Sequence, residues 1–127
     1  MRQLKIVIAD DSALIRDLLR YTLSKVPGLA VVGAAADGVE AIRLVRELKP
    51  NVVVLDISMP LMGGIEVIKE IRKDDHSTVI IMFTGDVSLF IAEFCLEAGA
   101  NFFLNKDEIV ELVEICRLEL LFKQLPG

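Results

Sequence analysis

Four apolar runs in this chain stop on residues that can do chemistry. Leu4–Ala9 runs into Asp10 and Asp11, Val52–Leu55 into Asp56, Val79–Phe83 into Thr84, and Phe102–Asn105 into Lys106. Brought together, these ends would form one rim of three carboxylates, a hydroxyl and an ammonium. Unit charges ~5 Å apart repel by ~3 kcal/mol at an effective dielectric of about 20. Three clustered carboxylates therefore push one another's pKa upward unless a cation joins them. One lysine does not balance three carboxylates, whereas a hard divalent ion with oxygen ligands does, and Mg²⁺ fits. A carboxylate can also attack phosphorus to give an aspartyl phosphate. The ammonium and the hydroxyl would then hold phosphoryl oxygens, because this reaction is mostly positioning and charge stabilisation. Each residue taken singly has a plainer use: Asp10 and Asp11 suit the positive end of a helix, Asp56 a turn, Thr84 a loop cap and Lys106 a solvated surface. Agreement among four strand ends favours a shared site.

That agreement requires elements that carry the four ends to one side. The chain alternates short β-branched runs with helical stretches. Strands are expected at Leu4–Ala9, Leu29–Ala35, Val52–Leu55, Val79–Phe83 and Phe102–Asn105, and helices at Ala13–Ser24, Val39–Leu48, Ile65–Arg72, Val87–Ala98 and Ile109–Lys123. Ser12 is a good N-cap for the first helix. Pro27-Gly28 and Asp37-Gly38 turn the chain, Pro50 closes the second helix, Gly63-Gly64 punctuate the connection after Asp56, and Gly99 ends the fourth helix. Five consecutive βα units give an α/β fold: an open, doubly wound, five-stranded parallel sheet with helices on both faces. Ligands of such sheets collect beyond the carboxyl ends of the strands. A strand order of 2-1-3-4-5 sets the second strand, which ends in Ala34-Ala35-Ala36, at an edge and the other four side by side.

Composition agrees. A chain of 127 residues has room for a single domain, expected over residues 1–127, and buries about two-thirds of its surface without staples. Hydrophobic residues make up 54% and aromatics only 6%, with no Trp, so aliphatic side chains carry the core. No apolar run approaches the ~18 residues of a membrane span, and Asp10 and Asp11 stop the first apolar stretch too early for a signal peptide. A cytoplasmic location is expected. The net charge of −5 offers no electrostatic footprint for a nucleic-acid backbone. Cys95 and Cys116 lack metal-ligand spacing and read as core thiols, and His76, in Lys73-Asp74-Asp75-His76-Ser77, reads as a solvated loop residue.

The stretches Ile8-Ala9-Asp10-Asp11-Ser12, Leu55-Asp56-Ile57-Ser58-Met59-Pro60 with Gly63-Gly64, Phe83-Thr84-Gly85, Leu96-Glu97-Ala98-Gly99-Ala100 and Leu104-Asn105-Lys106 together resemble the signature of response-regulator receiver domains. These are the phosphoacceptor half of bacterial two-component signalling, and the resemblance runs from about Leu4 to about Phe122. It implies a flavodoxin-like (βα)5 fold and a phosphorylation-dependent switch rather than an enzyme. It also implies that Asp56 is the phosphoacceptor, that Asp11 and Asp56 bind Mg²⁺ directly, that Asp10 acts through metal-bound water, and that the backbone carbonyl of Ser58 supplies another oxygen. Thr84 and Lys106 would engage the phosphoryl group, and Phe103 stands where the family keeps an aromatic that rotates inward with that hydroxyl. Ser58 and Asp86 stand beside the path of the hydrolytic water. The implied donor is a sensor histidine kinase or a phosphotransfer protein.

The family usually follows its lysine with proline in a cis peptide; here Asp107 follows Lys106, and a cis bond without proline costs ~3 kcal/mol. Two rivals share parts of the pattern. A haloacid-dehalogenase-like phosphatase also uses an aspartyl nucleophile and Mg²⁺, but needs aspartates at i and i+2 after the first strand, where Asp10 and Asp11 are adjacent. A flavin carrier of the same sheet order needs a Ser/Thr/Gly phosphate loop at the place this chain fills with acids.

The apolar excess carries a further expectation. In the fourth helix Val87, Leu89, Phe90, Ile91, Ala92, Phe94, Cys95, Leu96 and Ala98 leave only Ser88, Glu93 and Glu97 polar. In the last helix a core stripe of Ile109, Leu112, Val113, Cys116 and Leu120 is joined by a second, Ile115, Leu118 and Phe122, that points away from it. A helix on a sheet needs one stripe, and contiguous exposed apolar surface marks an interaction site. The face formed by the fourth helix, fifth strand and fifth helix is therefore expected to bind a second copy of the chain, as a homodimer, or an output domain.

Overall fold

Residues 3–86 and 88–125 are described by the computed structural model. Ten elements alternate along them: β1 (Leu4–Ala9), α1 (Ala13–Ser24), β2 (Leu29–Ala35), α2 (Gly38–Leu48), β3 (Val52–Leu55), α3 (Gly64–Arg72), β4 (Val79–Thr84), α4 (Leu89–Ala98), β5 (Phe102–Asn105) and α5 (Ile109–Gln124). The strands form one sheet in the order β2-β1-β3-β4-β5, with every neighbouring pair parallel. The expected doubly wound, flavodoxin-like sheet is thus the observed one. Element bounds differ from expectation by small amounts. Gly38 and Gly64 belong to their helices, Thr84 is the last residue of β4, and α5 reaches Gln124. The fourth helix starts behind Ser88, whose Oγ accepts a hydrogen bond from the Ile91 amide at 3.2 Å; Val87, expected as its first residue, lies outside the described residues.

The three central strands are apolar because both of their faces are covered. Alternate side chains divide between two cores. Ile6, Ile8, Val52, Val54, Ile81 and Phe83 meet Leu19 and Leu23 of α1 and Leu112, Cys116 and Leu120 of α5. Val7, Ala9, Val53, Leu55, Ile80 and Met82 meet α2, α3 and Cys95 of α4. Both cysteines are buried and unpaired. Burial pushes the Cys95 thiol up, and burial together with the nearby Glu119 carboxylate pushes Cys116 up to about 12.

Helices α4 and α5 keep apolar surface outside the cores, as α1 does at Leu14, Leu18 and Tyr21. Within α4 only Cys95 is buried, while Leu89, Phe90, Phe94 and Leu96 are exposed. On α5 the core stripe is covered as expected, Ile115 is half-buried, and Leu118, Leu121 and Phe122 are each more than half exposed. Phe102 of β5 lies partly open between them in the chain. The described residues contain no cis peptide bond, so Lys106–Asp107 is trans. His76 is exposed.

At the amino ends of β4 and β5 a polar network ties the sheet to its helices. Arg72, the last residue of α3, donates from Nε to the Gly99 carbonyl (3.0 Å), from Nη1 to the Asp75 carbonyl (3.1 Å) and from Nη2 to Asn101 Oδ1 (2.9 Å). Asn101 Oδ1 also accepts the Ile80 amide at 2.8 Å. Asp75 accepts the amides of Ser77 and Thr78 and both of their hydroxyls.

Candidate functional site

Adjacent parallel strands place the acidic residues. Ala9, the last residue of β1, pairs with Leu55, the last of β3, so Asp10 and Asp56 follow side by side. The Asp56 amide donates to the Ala9 carbonyl (2.9 Å) and the Asp10 amide to the Ala35 carbonyl (3.0 Å), extending the ladder one residue past the strands. On the other side Thr84 pairs with Asn105, and the Lys106 amide donates to the Thr84 carbonyl at 2.9 Å. The four strand ends accordingly lie in one row.

Side chains complete the row. Carboxylate oxygens of Asp10, Asp11 and Asp56 lie within 4.8 Å of one another. The Lys106 ammonium reaches across, with Nζ at 2.8 Å from Asp10 Oδ2 and 3.0 Å from Asp56 Oδ2. The other oxygens are held by main chain: Asp10 Oδ1 accepts the Ser12 amide (2.9 Å) and Asp56 Oδ1 accepts the Ile57 amide (2.8 Å). Asp10 and Asp56 are buried, at 2% and 5% exposure, whereas Asp11 is exposed and, among the described residues, no hydrogen bond or ion pair reaches its side chain. Thr84 is buried; its Oγ1 accepts the Asp86 amide at 3.2 Å, and Asp86 Oδ1 in turn accepts the Ser88 amide at 3.1 Å. Ser58 lies on an exposed stretch after Asp56. A Cβ added at Gly85 would meet nothing within 4 Å, so the rim is open there. Phe103 is half-buried and packs against the core on the α2–α4 side.

Electrostatics follow from this geometry. Burial pushes the Asp10 carboxyl above the usual carboxylate range, and the Asp56 charge adds to that push. The Lys106 ammonium and the Ser12 amide oppose it without cancelling it. Burial pulls the Lys106 ammonium down, but its hydrogen bonds to Asp10 and Asp56 outweigh burial and carry it above the ordinary lysine value. Three carboxylates against one ammonium leave the site in excess of negative charge. An all-oxygen donor set with unbalanced negative charge fits a hard divalent cation such as Mg²⁺.

The structure brings together Asp10, Asp11, Asp56 and Lys106 as the sequence led us to expect, and sets Thr84 beside them with its hydroxyl turned to Asp86. Two contributors were not foreseen. Gly64 reads in sequence as turn punctuation, yet it opens α3 against the acceptor itself: a Cβ there would lie 2.2 Å from the Asp56 carbonyl oxygen. Arg16, one turn into α1, donates from Nη1 to the Asp10 carbonyl at 2.8 Å. The only signal for Arg16 in the sequence is a cation near a helix start, where the helix dipole favours an anion.

The family profile of the response regulator receiver domain matches residues 6–117. The chain belongs to this family. An uncharacterised transcriptional regulatory protein of Bacillus subtilis, YhcZ, is 41% identical over 112 residues, covering 87% of this chain and 52% of that protein. The chemotaxis protein CheY of Thermotoga maritima is 38% identical over 102 residues, covering 80% of this receiver and 84% of CheY. Among solved structures, the response regulator domain of Thermotoga maritima CheB superposes with a TM-score of 0.86 at 33% identity, covering 94% of this receiver and 97% of that domain. The receiver thus spans about half the length of YhcZ and most of CheY. Receiver domains act in two-component signalling, exchange signals with histidine kinases or phosphotransfer proteins, and bind Mg²⁺ at an acidic pocket. Among the described residues no helix is long and apolar enough to cross a membrane.

Proposed function

We propose that this receiver accepts a phosphoryl group on Asp56 from a sensor histidine kinase or a phosphotransfer protein. Mg²⁺ would be held by Asp11, Asp56 and the Ser58 carbonyl directly, and by Asp10 through a metal-bound water. The observation that carries the reading is the charge imbalance: three carboxylates within 4.8 Å of one another share a single ammonium. When bound, the metal neutralises charge on the phosphoryl oxygens.

The chain's own residues do the rest. An Asp56 carboxylate oxygen bonds to phosphorus as the donor's P–N bond breaks. The electron pair of that bond stays on the imidazole nitrogen, which takes up a proton from water. The Ile57 amide fixes Asp56 Oδ1, and Lys106 at Oδ2 is in place to hold a phosphoryl oxygen once the acyl phosphate forms. The Thr84 hydroxyl, now accepting the Asp86 amide, keeps its own proton to donate to a second phosphoryl oxygen. As Thr84 turns inward, half-buried Phe103 follows by packing alone, because a phenyl ring has no hydroxyl to guide it. Ser58 and Asp86 flank the path of the water that later cleaves the acyl phosphate.

Output leaves through the α4–β5–α5 face, where Leu89, Phe90, Phe94, Leu118 and Phe122 are exposed. The occupant is a second copy of the chain or an output domain, and it must bind the phosphorylated state more tightly, since equal affinity shifts nothing.

Acetyl phosphate with Mg²⁺ tests the acceptor. Wild type should gain a label lost in mild base or hydroxylamine, and Asp56→Asn should not; an Asn variant labelled as fast as wild type overturns the assignment. Asp11→Ala should weaken Mg²⁺ more than Asp10→Ala. Sedimentation with and without beryllofluoride tests self-association, and a monomer in both states at high concentration leaves the output domain as the partner.

A further inference from the structure

Asp11 is the one carboxylate of the site whose side chain nothing among the described residues holds, yet it stands beside the most constrained residue there. Asp10 is tied at its amide to Ala35, at Oδ1 to Ser12 and at Oδ2 to Lys106, and its carbonyl receives Arg16 at 2.8 Å. That carbonyl and the Asp11 amide share one rigid peptide plane. Fixing the carbonyl therefore fixes the direction in which the chain enters Asp11. The exit is fixed as well: the Ser12 amide is bound to Asp10, and the Ser12 hydroxyl caps α1 through the Ile15 amide at 3.3 Å. The Asp11 backbone is bracketed on both sides while its carboxylate stays free.

Arg16 is the half-buried, distant member of this bracket. It sits where the helix dipole disfavours a cation, and α1 has no acidic residue in its first turn to offset it. We infer that Arg16 is a positioning residue for the metal site: its guanidinium pins the Asp10 carbonyl so that the free Asp11 carboxylate is presented toward Asp10 and Asp56. The inference rests on the Mg²⁺ reading above.

Two effects of Arg16 carry opposite signs, which makes the test decisive. As a bare charge it repels Mg²⁺, so its removal would tighten binding. As a pin its removal loosens Asp11 and weakens binding. Mg²⁺ titration followed by backbone amide chemical shifts reads affinity and folding together, with no phosphodonor present. Arg16→Ala should weaken Mg²⁺ about threefold to tenfold, the size of one lost hydrogen bond, and should shift or broaden the Asp11 amide before any metal is added. Arg20→Ala, which removes an exposed charge from the same helix, should leave affinity unchanged or slightly tighter. An Arg16→Ala protein that binds as tightly as wild type, or more tightly, overturns the inference. Should Arg16→Ala lose amide dispersion, Arg16→Lys replaces it, with the same sign at smaller size. A wild type with no saturable response would instead overturn the Mg²⁺ reading itself, and this inference with it.

Discussion

The two ends of the sheet carry polar clusters of similar size and opposite design. At the amino ends of β4 and β5 each group is answered: Arg72 meets three acceptors, and Asp75 collects two amides and two hydroxyls. Burial works against the Asp75 charge, but those donors, the Thr78 hydroxyl foremost, hold its carboxyl down to about 2. At the carboxyl ends the balance is left open: Asp10 is pushed up, and the Asp11 side chain has no partner among the described residues. A closed cluster stabilises the chain that contains it, whereas an open one keeps its affinity for something outside. Cavity size does not mark the open one. A cavity of about 750 Å³ lies at the amino end, beside Asn51, Asp75 and Thr78, and includes none of the carboxylates that gather at the other.

The sharpest test of the contrast uses the crowded glycine at the carboxyl ends. Gly64 and Gly99 are both crowded, by the Asp56 carbonyl and by Arg72 Cγ at 2.6 Å respectively. Gly64→Ala should cost about 3 kcal/mol and also slow phosphorylation, because the displaced atom belongs to the acceptor; denaturant midpoints and labelling rates read both. Next in size, Arg72→Ala should cost about 2 kcal/mol through its three lost hydrogen bonds, with the labelling rate of the folded protein unchanged. A slowed rate there would mean the two ends are coupled.

Acid separates the ends by sign. The Asp75 carboxyl is depressed, so its contribution is present above about pH 4 and lost as pH falls toward about 2. Asp75→Ala should therefore be less stable than wild type by about 1 kcal/mol at neutral pH, with the gap closing in acid. Asp10 runs the other way. Its folded carboxyl is raised, the folded state binds the extra proton, and stability falls as pH rises from the ordinary aspartate value through the raised one. Metal-free Asp10→Asn should thus be more stable than wild type at neutral pH, by about 1 kcal/mol, while binding Mg²⁺ less well. A destabilised Asp10→Asn would show that the Lys106 pair outweighs burial.

Much of the site could be read from sequence because it is built on strand ends, where a continuous apolar run stops at a polar residue and the stop itself marks the place. Asp10, Asp56, Thr84 and Lys106 were legible in this way, and parallel topology did the rest. The apolar faces of α4 and α5 were legible too, since Phe90, Phe94, Leu118 and Phe122 exceed what one stripe against a sheet requires. Groups that act through space were not. Gly63-Gly64 announces a turn without saying which glycine is crowded. Arg72 meets partners at Gly99 and Asn101 through a fold that no local pattern encodes. The hydroxyl of Thr84 could be placed, but not its tie to the Asp86 amide.

The two buried thiols give the molecule a pair of internal clocks. Cys95 lies under α4 and is that helix's one buried side chain, while Cys116 lies under α5 among three buried residues of its helix. A maleimide or disulfide reagent cannot reach either in the closed fold, so each reaction requires a lifting of the covering helix. The ratio of the two rates compares the opening of α4 with that of α5, within one molecule and without an engineered label. Repeating the measurement with beryllofluoride and Mg²⁺ turns the question of which helix responds to the acceptor site into a comparison of two reaction times.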